Sequence, residues 1–208
     1  MGMILEIDPA RRIARVQPGV VLDHLRNAAE KHHLTFAPDP ASHDRCTIGG
    51  MIGNNSCGVH SIMGGKTDDN IEALEVVTYD GVRLAVGQNS IGTPGSPEVS
   101  GRSNDRVNQL HTALKQIADQ YADQIRQKFP NIPRRVSGYN LNYLLPENGF
   151  HIARALVGSE GTCATILEAT CRLIESPPAR VLVVLAYPDI YQCADHIPEI
   201  LEYKPIGL

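Results

Sequence analysis

The segment from Thr47 to Gly58 combines residue types that suit the binding of a large, flat, phosphate-bearing ligand. It reads TIGGMIGNNSCG, with four glycines, two asparagines and one serine in twelve residues. Glycine has no Cβ, so its backbone can adopt positive φ, and successive N–H groups can form a concave anion site. Ile48, Met51 and Ile52 would anchor one side in a core. A glycine-rich surface turn is the plainer alternative, but turns seldom combine so many glycines and asparagines with apolar anchors.

Two other phosphate-binding patterns do not fit. The phosphate loop of nucleotide hydrolases needs Lys and then Ser or Thr directly after its last glycine, whereas Cys57 precedes Gly58 and Val59 follows it. The run Gly64-Gly65-Lys66-Thr67 contains Gly-Lys-Thr, but no earlier glycine stands at the required distance. The Gly-x-Gly-x-x-Gly fingerprint of dinucleotide-binding folds is not found at a strand end. A nucleotide-phosphate site at Lys66 remains a disfavoured third alternative.

Two longer segments resemble one flavoprotein family. Residues 36–58, FAPDPASHDRCTIGGMIGNNSCG, resemble the second FAD-contacting segment of the vanillyl-alcohol oxidase/p-cresol methylhydroxylase (PCMH) family. Residues 157–173, VGSEGTCATILEATCRL, resemble its Gly-Ser-Glu-Gly-Thr segment, in the family's order and at a suitable separation. The closest branch contains the FAD-linked 2-hydroxy-acid dehydrogenases for D-lactate, glycolate and D-2-hydroxyglutarate, especially long bacterial members with a C-terminal iron–sulfur part.

The resemblance implies that this chain contributes to an FAD site. Backbone N–H groups would bond to flavin and ribityl oxygens, while Ile48 and Ile166 would supply apolar contact. The implied cofactor-binding residues are Pro38 and Ser42 on a flavin-side turn; Thr47, Ile48, Gly49, Gly50, Gly53, Asn54, Asn55, Ser56 and Gly58 in the first segment; and Gly158, Gly161, Thr162 and Ile166 in the second. No catalytic residue is identified. Cys57 and His60 stay open as points of covalent flavin attachment. Tyr139 lies in an element that resembles the family's Gly-Tyr-Asn-Leu, and a role in that element and a role in packing are equally consistent with the sequence.

The resemblance also implies a domain division. Residues 1–176 are expected to be a partial FAD-binding PCMH-type domain, and residues 177–208 the start of a substrate domain. The family's diphosphate-binding loop would precede Met3, and its catalytic and metal-ligating histidines would follow. We therefore expect a fragment of a larger flavoenzyme that oxidises a small 2-hydroxy acid, inactive when isolated. The alternative is a truncated, redox-inactive binding or assembly module with the same fold.

Composition narrows the function classes. The net charge of −4 argues against general nucleic-acid binding. No apolar run reaches the ~18–20 residues that span a bilayer, and no secretion signal is recognised. We therefore expect a cytoplasmic location. A second possibility is that the parent enzyme is peripheral at the inner face of the membrane. The five cysteines have no Cys-x-x-Cys spacing, which predicts reduced thiols and no metal site.

The sequence pattern of the strands and helices that must position these segments predicts an α+β fold, with a mainly antiparallel sheet flanked by helices. Periodicity and turn residues predict hairpins at 3–16 and 71–86, strands at 35–37, 152–157, 164–174 and 180–186, helices at 21–33, 104–129 and from 188, and a long loop at 89–103. A sheet edge left exposed would invite a homodimer.

Overall fold

The centre of the molecule is an antiparallel sheet, in a computed structural model that describes residues 1–92 and 102–208, without the side chains of 102–104. Its strands are β1 (Ile4–Asp8), β2 (Ile13–Val16), β4 (Ile71–Val77), β5 (Arg83–Gly87), β6 (Ser90–Gly92) and β7 (Thr165–Arg172). They lie in the order β1-β2-β7-β4-β5-β6. A separate two-stranded sheet joins β3 (Leu34–Thr35) to β8 (Ile174–Glu175). The predicted fold class and both hairpins are confirmed.

Strand β7 occupies the middle of the sheet, between two hairpins that come much earlier in the chain. It pairs antiparallel with β2, where Val16 faces Ala169, and with β4, where Val76 faces Ile166. Val16, Val76 and Ala169 are buried, so the same pairing also builds the core. The late segment is thereby held against β2 and β4, the strands that precede and follow the glycine-rich sequence in the chain.

The helices are α1 (Leu22–Glu30), α2 (Ile48–Asn54), α3 (Ser61–Gly64), α4 (Arg102–Lys128), α5 (Ile152–Leu156), α6 (Ile190–Asp195) and α7 (Ile197–Glu202). The helices predicted at 21–33 and 104–129 are confirmed as α1 and α4, because their apolar residues recur on one face. The helix predicted from 188 is present as α6. Within the described ranges, no helix combines the length and apolar character needed to cross a bilayer.

Two predicted strands are wrong. Of the strand predicted at 152–157, residues Ile152–Leu156 form α5, and the side chain of His151 caps that helix by accepting a hydrogen bond from the Arg154 N–H at 3.3 Å. Residues 180–186 form no strand, since no partner strand lies beside them in the described part of the chain. The loop predicted at 89–103 contains β6 and the start of α4, and its residues 93–101 lie outside the described residues.

Candidate active site

The first glycine-rich segment is a short helix and not an open loop. Thr47 begins α2 by accepting a hydrogen bond from the Gly50 N–H at its side-chain oxygen (3.2 Å), and Asn55 ends it in the left-handed region at φ 55°. The predicted apolar anchors, Ile48, Met51 and Ile52, are buried in the core, which confirms that part of the prediction. None of the segment's glycines has positive φ in this structure, so the predicted loop of left-handed glycines is wrong.

The first amides of α2 are already hydrogen-bonded within the protein. The Ile48 N–H donates to the carbonyl of Val20 at 2.9 Å, and the Gly49 N–H donates to that of Pro18 at 2.8 Å. The third amide, that of Gly50, is taken by the Thr47 cap. These three N–H groups are therefore paired within the protein in this structure, and their predicted hydrogen bonds to flavin stay a prediction.

The second segment is bonded directly to the end of α2. Gly158 N–H donates to the carbonyl of Ile52 at 2.8 Å, and Glu160 N–H donates to that of Gly53 at 2.9 Å. These bonds satisfy helix carbonyls that would otherwise lack a partner. Gly158 has φ +85°, and a Cβ there would lie 3.3 Å from the Gly138 carbonyl oxygen, so the backbone needs glycine.

A cleft of about 440 Å³ lies between the two segments. Of the predicted cofactor residues, it is lined by Thr47, Gly49, Gly50, Gly53, Gly161 and Ile166. Val76, Leu156 and Ala164 add an apolar wall, and none of the described residues that line the cleft has a charged side chain. A Cβ at Gly53 or Gly161 would meet nothing within 4 Å, so both glycines leave the cleft wide. The arrangement suits a neutral, partly apolar group rather than a diphosphate.

The remaining predicted cofactor residues lie outside the lining of this cleft. They are Pro38, Ser42, Ile48, Asn54, Asn55, Ser56, Gly58, Gly158 and Thr162. The side chain of Ile48 is fully buried in the core, which leaves it no surface for the predicted flavin contact. Thr162 donates from its hydroxyl to the Ser159 carbonyl oxygen at 2.6 Å and is also bonded to the hydroxyl of Tyr139 at 2.8 Å. Tyr139 thus braces the second segment.

Asn55 belongs to a buried polar network at the C-terminal end of α2. Its Nδ2 donates to Asp68 Oδ2 at 3.1 Å, and its Oδ1 accepts from the Asp68 N–H at 3.0 Å. Asn140 donates to the same carboxylate oxygen at 3.2 Å and to the Val157 carbonyl at 2.9 Å. Burial, followed by the nearby Asp69 charge, raises the pKa of Asp68. Through Asn140, one carboxylate therefore ties the end of α2 to Val157, the first residue of the second segment.

Lys66 belongs to the same network and is not a free phosphate-binding lysine. Its Nζ lies 3.2 Å from Asp68 Oδ1 and 3.1 Å from Asp69 Oδ2. Its side chain is only 12% exposed. The nucleotide-phosphate alternative is weakened, because this ammonium already has two carboxylate partners.

A second group of polar residues, which sequence reasoning did not assemble, surrounds Gly58. The imidazole Nδ1 of His60 is paired with Asp39 Oδ2, and the His60 N–H donates to Asp39 Oδ1 at 3.3 Å. Arg134 donates from Nη2 to the Gly58 carbonyl at 3.3 Å and from Nε to Ser61 Oγ at 2.8 Å. These partners are 21 and more than 70 residues apart, so no local spacing could have revealed them.

Comparison with known proteins places these segments in a wider context. Residues 1–87 match a family described as FAD binding domain. The D-2-hydroxyglutarate dehydrogenase of Pseudomonas putida is 31% identical over 216 residues, which cover 100% of this chain and 20% of that protein. Glycolate oxidase subunit GlcD of Escherichia coli is 44% identical over 92 residues, 44% of this chain and 18% of GlcD.

A solved structure supports the fold. Alkyldihydroxyacetonephosphate synthase aligns with a TM-score of 0.50 at 20% identity, covering 86% of this chain and 22% of that one. At this identity the likeness concerns the fold alone. The chain spans about a fifth of the length of the relatives and the solved structure that it matches.

Proposed function

We propose that this chain forms part of the FAD site of a flavin-dependent oxidoreductase, since residues 1–87 match the FAD binding domain family. The observation that carries the proposal is one cleft lined by both glycine-rich segments, since two segments far apart in the chain meet there and bond to each other. A bound flavin would supply a two-electron hydride acceptor, a chemistry that belongs to the cofactor.

The cleft fits the neutral part of FAD. Val76, Leu156 and Ile166 offer apolar contact to a flat ring, while Gly53 and Gly161 leave it room. The lining has no Lys or Arg to neutralise a diphosphate. We therefore assign the isoalloxazine and ribityl portion to this cleft, and expect residues 1–208 alone to bind whole FAD more weakly than about micromolar.

The substrate proposed for the parent enzyme is a small 2-hydroxy acid of the D-2-hydroxyglutarate, glycolate or D-lactate type. Support comes from relatives that are called D-2-hydroxyglutarate dehydrogenase, glycolate oxidase subunit and D-lactate dehydrogenase. The competing function is a redox-inactive binding or assembly module with the same fold. The hydrogen bonds that join the end of α2 to Gly158 and Glu160 favour a ligand site, because they hold the two segments that line the cleft against each other.

The proposal extends to domains, partners and location. We assign residues 1–176 to a partial FAD-binding domain and residues 177–208 to the start of a substrate domain. Both act within a larger flavoenzyme that has an iron–sulfur region. We propose that this enzyme forms a homodimer through an exposed sheet edge. We propose a cytoplasmic location, peripheral to the inner face of the membrane in the parent enzyme. All five cysteines are free, which agrees with a reducing compartment.

The direct test is titration of the chain with FMN, which carries the flavin and ribityl parts of FAD, followed by flavin fluorescence. Gly53→Leu should fill the cleft without a clash, because nothing lies within 4 Å of its Cβ. We expect at least a tenfold higher Kd for FMN, about 1.4 kcal/mol, while Gln120→Leu, on the exposed face of α4, leaves the Kd unchanged. FMN binding that Gly53→Leu does not weaken would refute the cleft assignment, and absence of any flavin binding would favour the assembly module.

A further inference from the structure

A cavity of about 270 Å³ lies between α4 and the six-stranded sheet. We propose that it binds the alkyl chain of a small, uncharged amphiphile, whose polar end stays at the mouth of the cavity. This site goes beyond the function proposed above and does not require a bound flavin. The size of the cavity, its lining and the position of its polar groups carry the proposal.

The cavity has a helical wall and a sheet wall, and both are apolar. Leu110, Leu114 and Ile117 of α4 line it at spacings of four and three, so they lie on one face of the helix. On the sheet side, Leu84 and Val86 are two residues apart in β5, and their side chains lie on the same face of the strand. Ile117 is 37% exposed although it is apolar, so the face of α4 is only partly covered by the protein itself.

The volume is larger than ordinary packing leaves between elements. Protein interiors are close-packed, and voids larger than a water molecule are few. An apolar cavity of about 150 Å³ is already large enough to take up benzene. The cavity under α4 is nearly twice that size, which gives room for a chain of roughly eight carbon atoms.

The hydroxyl and thiol groups of the lining belong to its more exposed residues. These are Thr78, which is half-buried, Tyr139, which is 49% exposed, and Cys163, which is exposed. The lining residues that are no more than 4% exposed are all aliphatic: Val76, Leu84, Val86, Leu144 and Ile152. Polarity therefore increases from the deep end to the mouth, and a molecule with one apolar and one polar end matches this gradient.

The charges around the cavity favour a neutral end group. None of the described residues that line it has a charged side chain. Asp80, which accepts a hydrogen bond from the Thr78 hydroxyl, is paired with Arg106 at 2.9 Å. A carboxylate or ammonium group on the ligand would therefore lose hydration at the mouth without gaining a charged partner from the lining.

The Tyr139 hydroxyl can bind a ligand hydroxyl at the mouth. Thr162 donates its own hydroxyl hydrogen to the Ser159 carbonyl at 2.6 Å, so it accepts from Tyr139 in their 2.8 Å contact. The phenolic oxygen then keeps lone pairs that can accept a hydrogen bond from an alcohol. The polar end of the ligand is thus an alcohol rather than an ion.

The cavity and the flavin cleft have part of their lining in common. Val76, Leu156 and Ala164 line both spaces, so a molecule in the cavity contacts side chains that also bound the cleft. Ala155 and Cys163 line the cavity and not the cleft. Changes at these two positions therefore test the cavity separately from the flavin assignment.

The test titrates the chain with butanol, hexanol and octanol and follows alkylation of Cys163 by iodoacetamide with mass spectrometry. Bound alcohol should slow the alkylation of Cys163, whereas Cys193, exposed on α6 and outside the lining, is the internal control. The Kd should fall roughly tenfold for every two carbon atoms added, because each buried methylene contributes a similar gain. The octane diol with a hydroxyl at each end should bind at least tenfold more weakly than octanol, because one hydroxyl would be buried without a partner.

A filling variant and its matched control complete the test. Ala155→Leu should occupy part of the cavity and raise the Kd for octanol at least tenfold, while Ala113→Leu, the same change on the exposed face of α4, should leave it unchanged. Melting temperatures show whether both variants fold, and if Ala155→Leu does not, the alcohol series on the unchanged chain decides. Alkylation of Cys163 that no alcohol slows, protection that does not depend on chain length, or equal octanol binding by folded Ala155→Leu would overturn the proposal.

Discussion

His151 is a buried histidine whose ring is required in its neutral form. Burial, followed by the positive charge of Arg154, lowers the pKa of His151 to about 4. Its Nδ1 accepts the hydrogen bond that caps α5, and a protonated ring could not accept it. The side chain therefore links the acid sensitivity of the fold to the N-terminus of α5, whose Leu156 helps to line the cleft between the two segments.

We predict that His151 makes the chain lose stability between about pH 6.5 and pH 4. The folded pKa is below the unfolded value, so the unfolded state binds a proton in this window that the folded state does not. The contribution is complete above about pH 6.5 and lost as the pH falls towards 4, on the order of 1–3 kcal/mol. Chemical unfolding at a series of pH values should show a shallower acid loss for His151→Asn, which keeps a capping acceptor, than for the exposed control His32→Asn. Equal slopes would contradict the role of His151.

At the scale of single residues, the sequence was a good guide to burial and a poor guide to hydrogen-bonding partners. The apolar anchors Ile48, Met51 and Ile52 are where their pattern predicts, because hydrophobic periodicity directly encodes burial. The cofactor roles assigned to Pro38, Asn55 and others stay predictions. The contacts of Asn55 with Asp68 depend on long-range packing that leaves no local pattern, and so does the pairing of His60 with Asp39.

At the scale of elements, the central feature is the joint between α2 and the second segment. The sequence predicted that the two segments belong together, but it predicted an open loop where a capped helix forms. Glycine's low helix propensity favoured the loop, and the Thr47 cap with the buried apolar face overrides it. The glycines of α2 thus provide space and close packing, whereas left-handed backbone is required in the second segment at Gly158 and Gly161.

We predict that Gly158→Ala destabilises the fold more than Gly81→Ala. Both glycines have nearly the same φ, +85° and +84°, so alanine meets a similar backbone penalty of about 1 kcal/mol at each. Only at Gly158 does the new Cβ also crowd neighbours, at 3.3 Å from Gly138 O and 3.4 Å from Asn55 Cβ. The difference in unfolding free energy between the variants should be about 1 kcal/mol. Identical unfolding free energies for the two variants would show that the backbone around Gly158 accommodates the added Cβ without loss of stability.

At the scale of the whole molecule, one stretch of chain exposes consecutive apolar side chains to solvent. Val181–Leu185 are five consecutive apolar residues, each between 52% and 89% exposed. Residues rich in valine and leucine favour strands, but a strand needs a partner for its backbone groups. The sequence predicted a strand here because its composition indicates β propensity. Strand pairing, in contrast, depends on whether a partner strand lies beside the segment in the fold.

We predict that this apolar stretch drives self-association of the isolated chain, separately from the homodimer that we propose for the parent enzyme through the sheet edge. An unpaired, apolar β-prone segment is a template for pairing with a second copy. Sedimentation velocity over a concentration series should show association that Val183→Lys reduces at least tenfold. The control Ile132→Lys changes another exposed apolar residue outside the stretch and should have little effect. Unchanged association in Val183→Lys would redirect the search for an interface to the edges of the six-stranded sheet.

The central position of β7 has a consequence for how the protein is made. Ile13 pairs with Arg172 and Val77 with Thr165, so both early hairpins obtain their shared neighbour only after α4 and α5 have been synthesised. Contacts between residues so distant in sequence slow folding, because loop closure must precede the gain from pairing. Until then the nascent chain presents two incomplete sheet edges to the cell, and we expect chaperones to hold it during this interval.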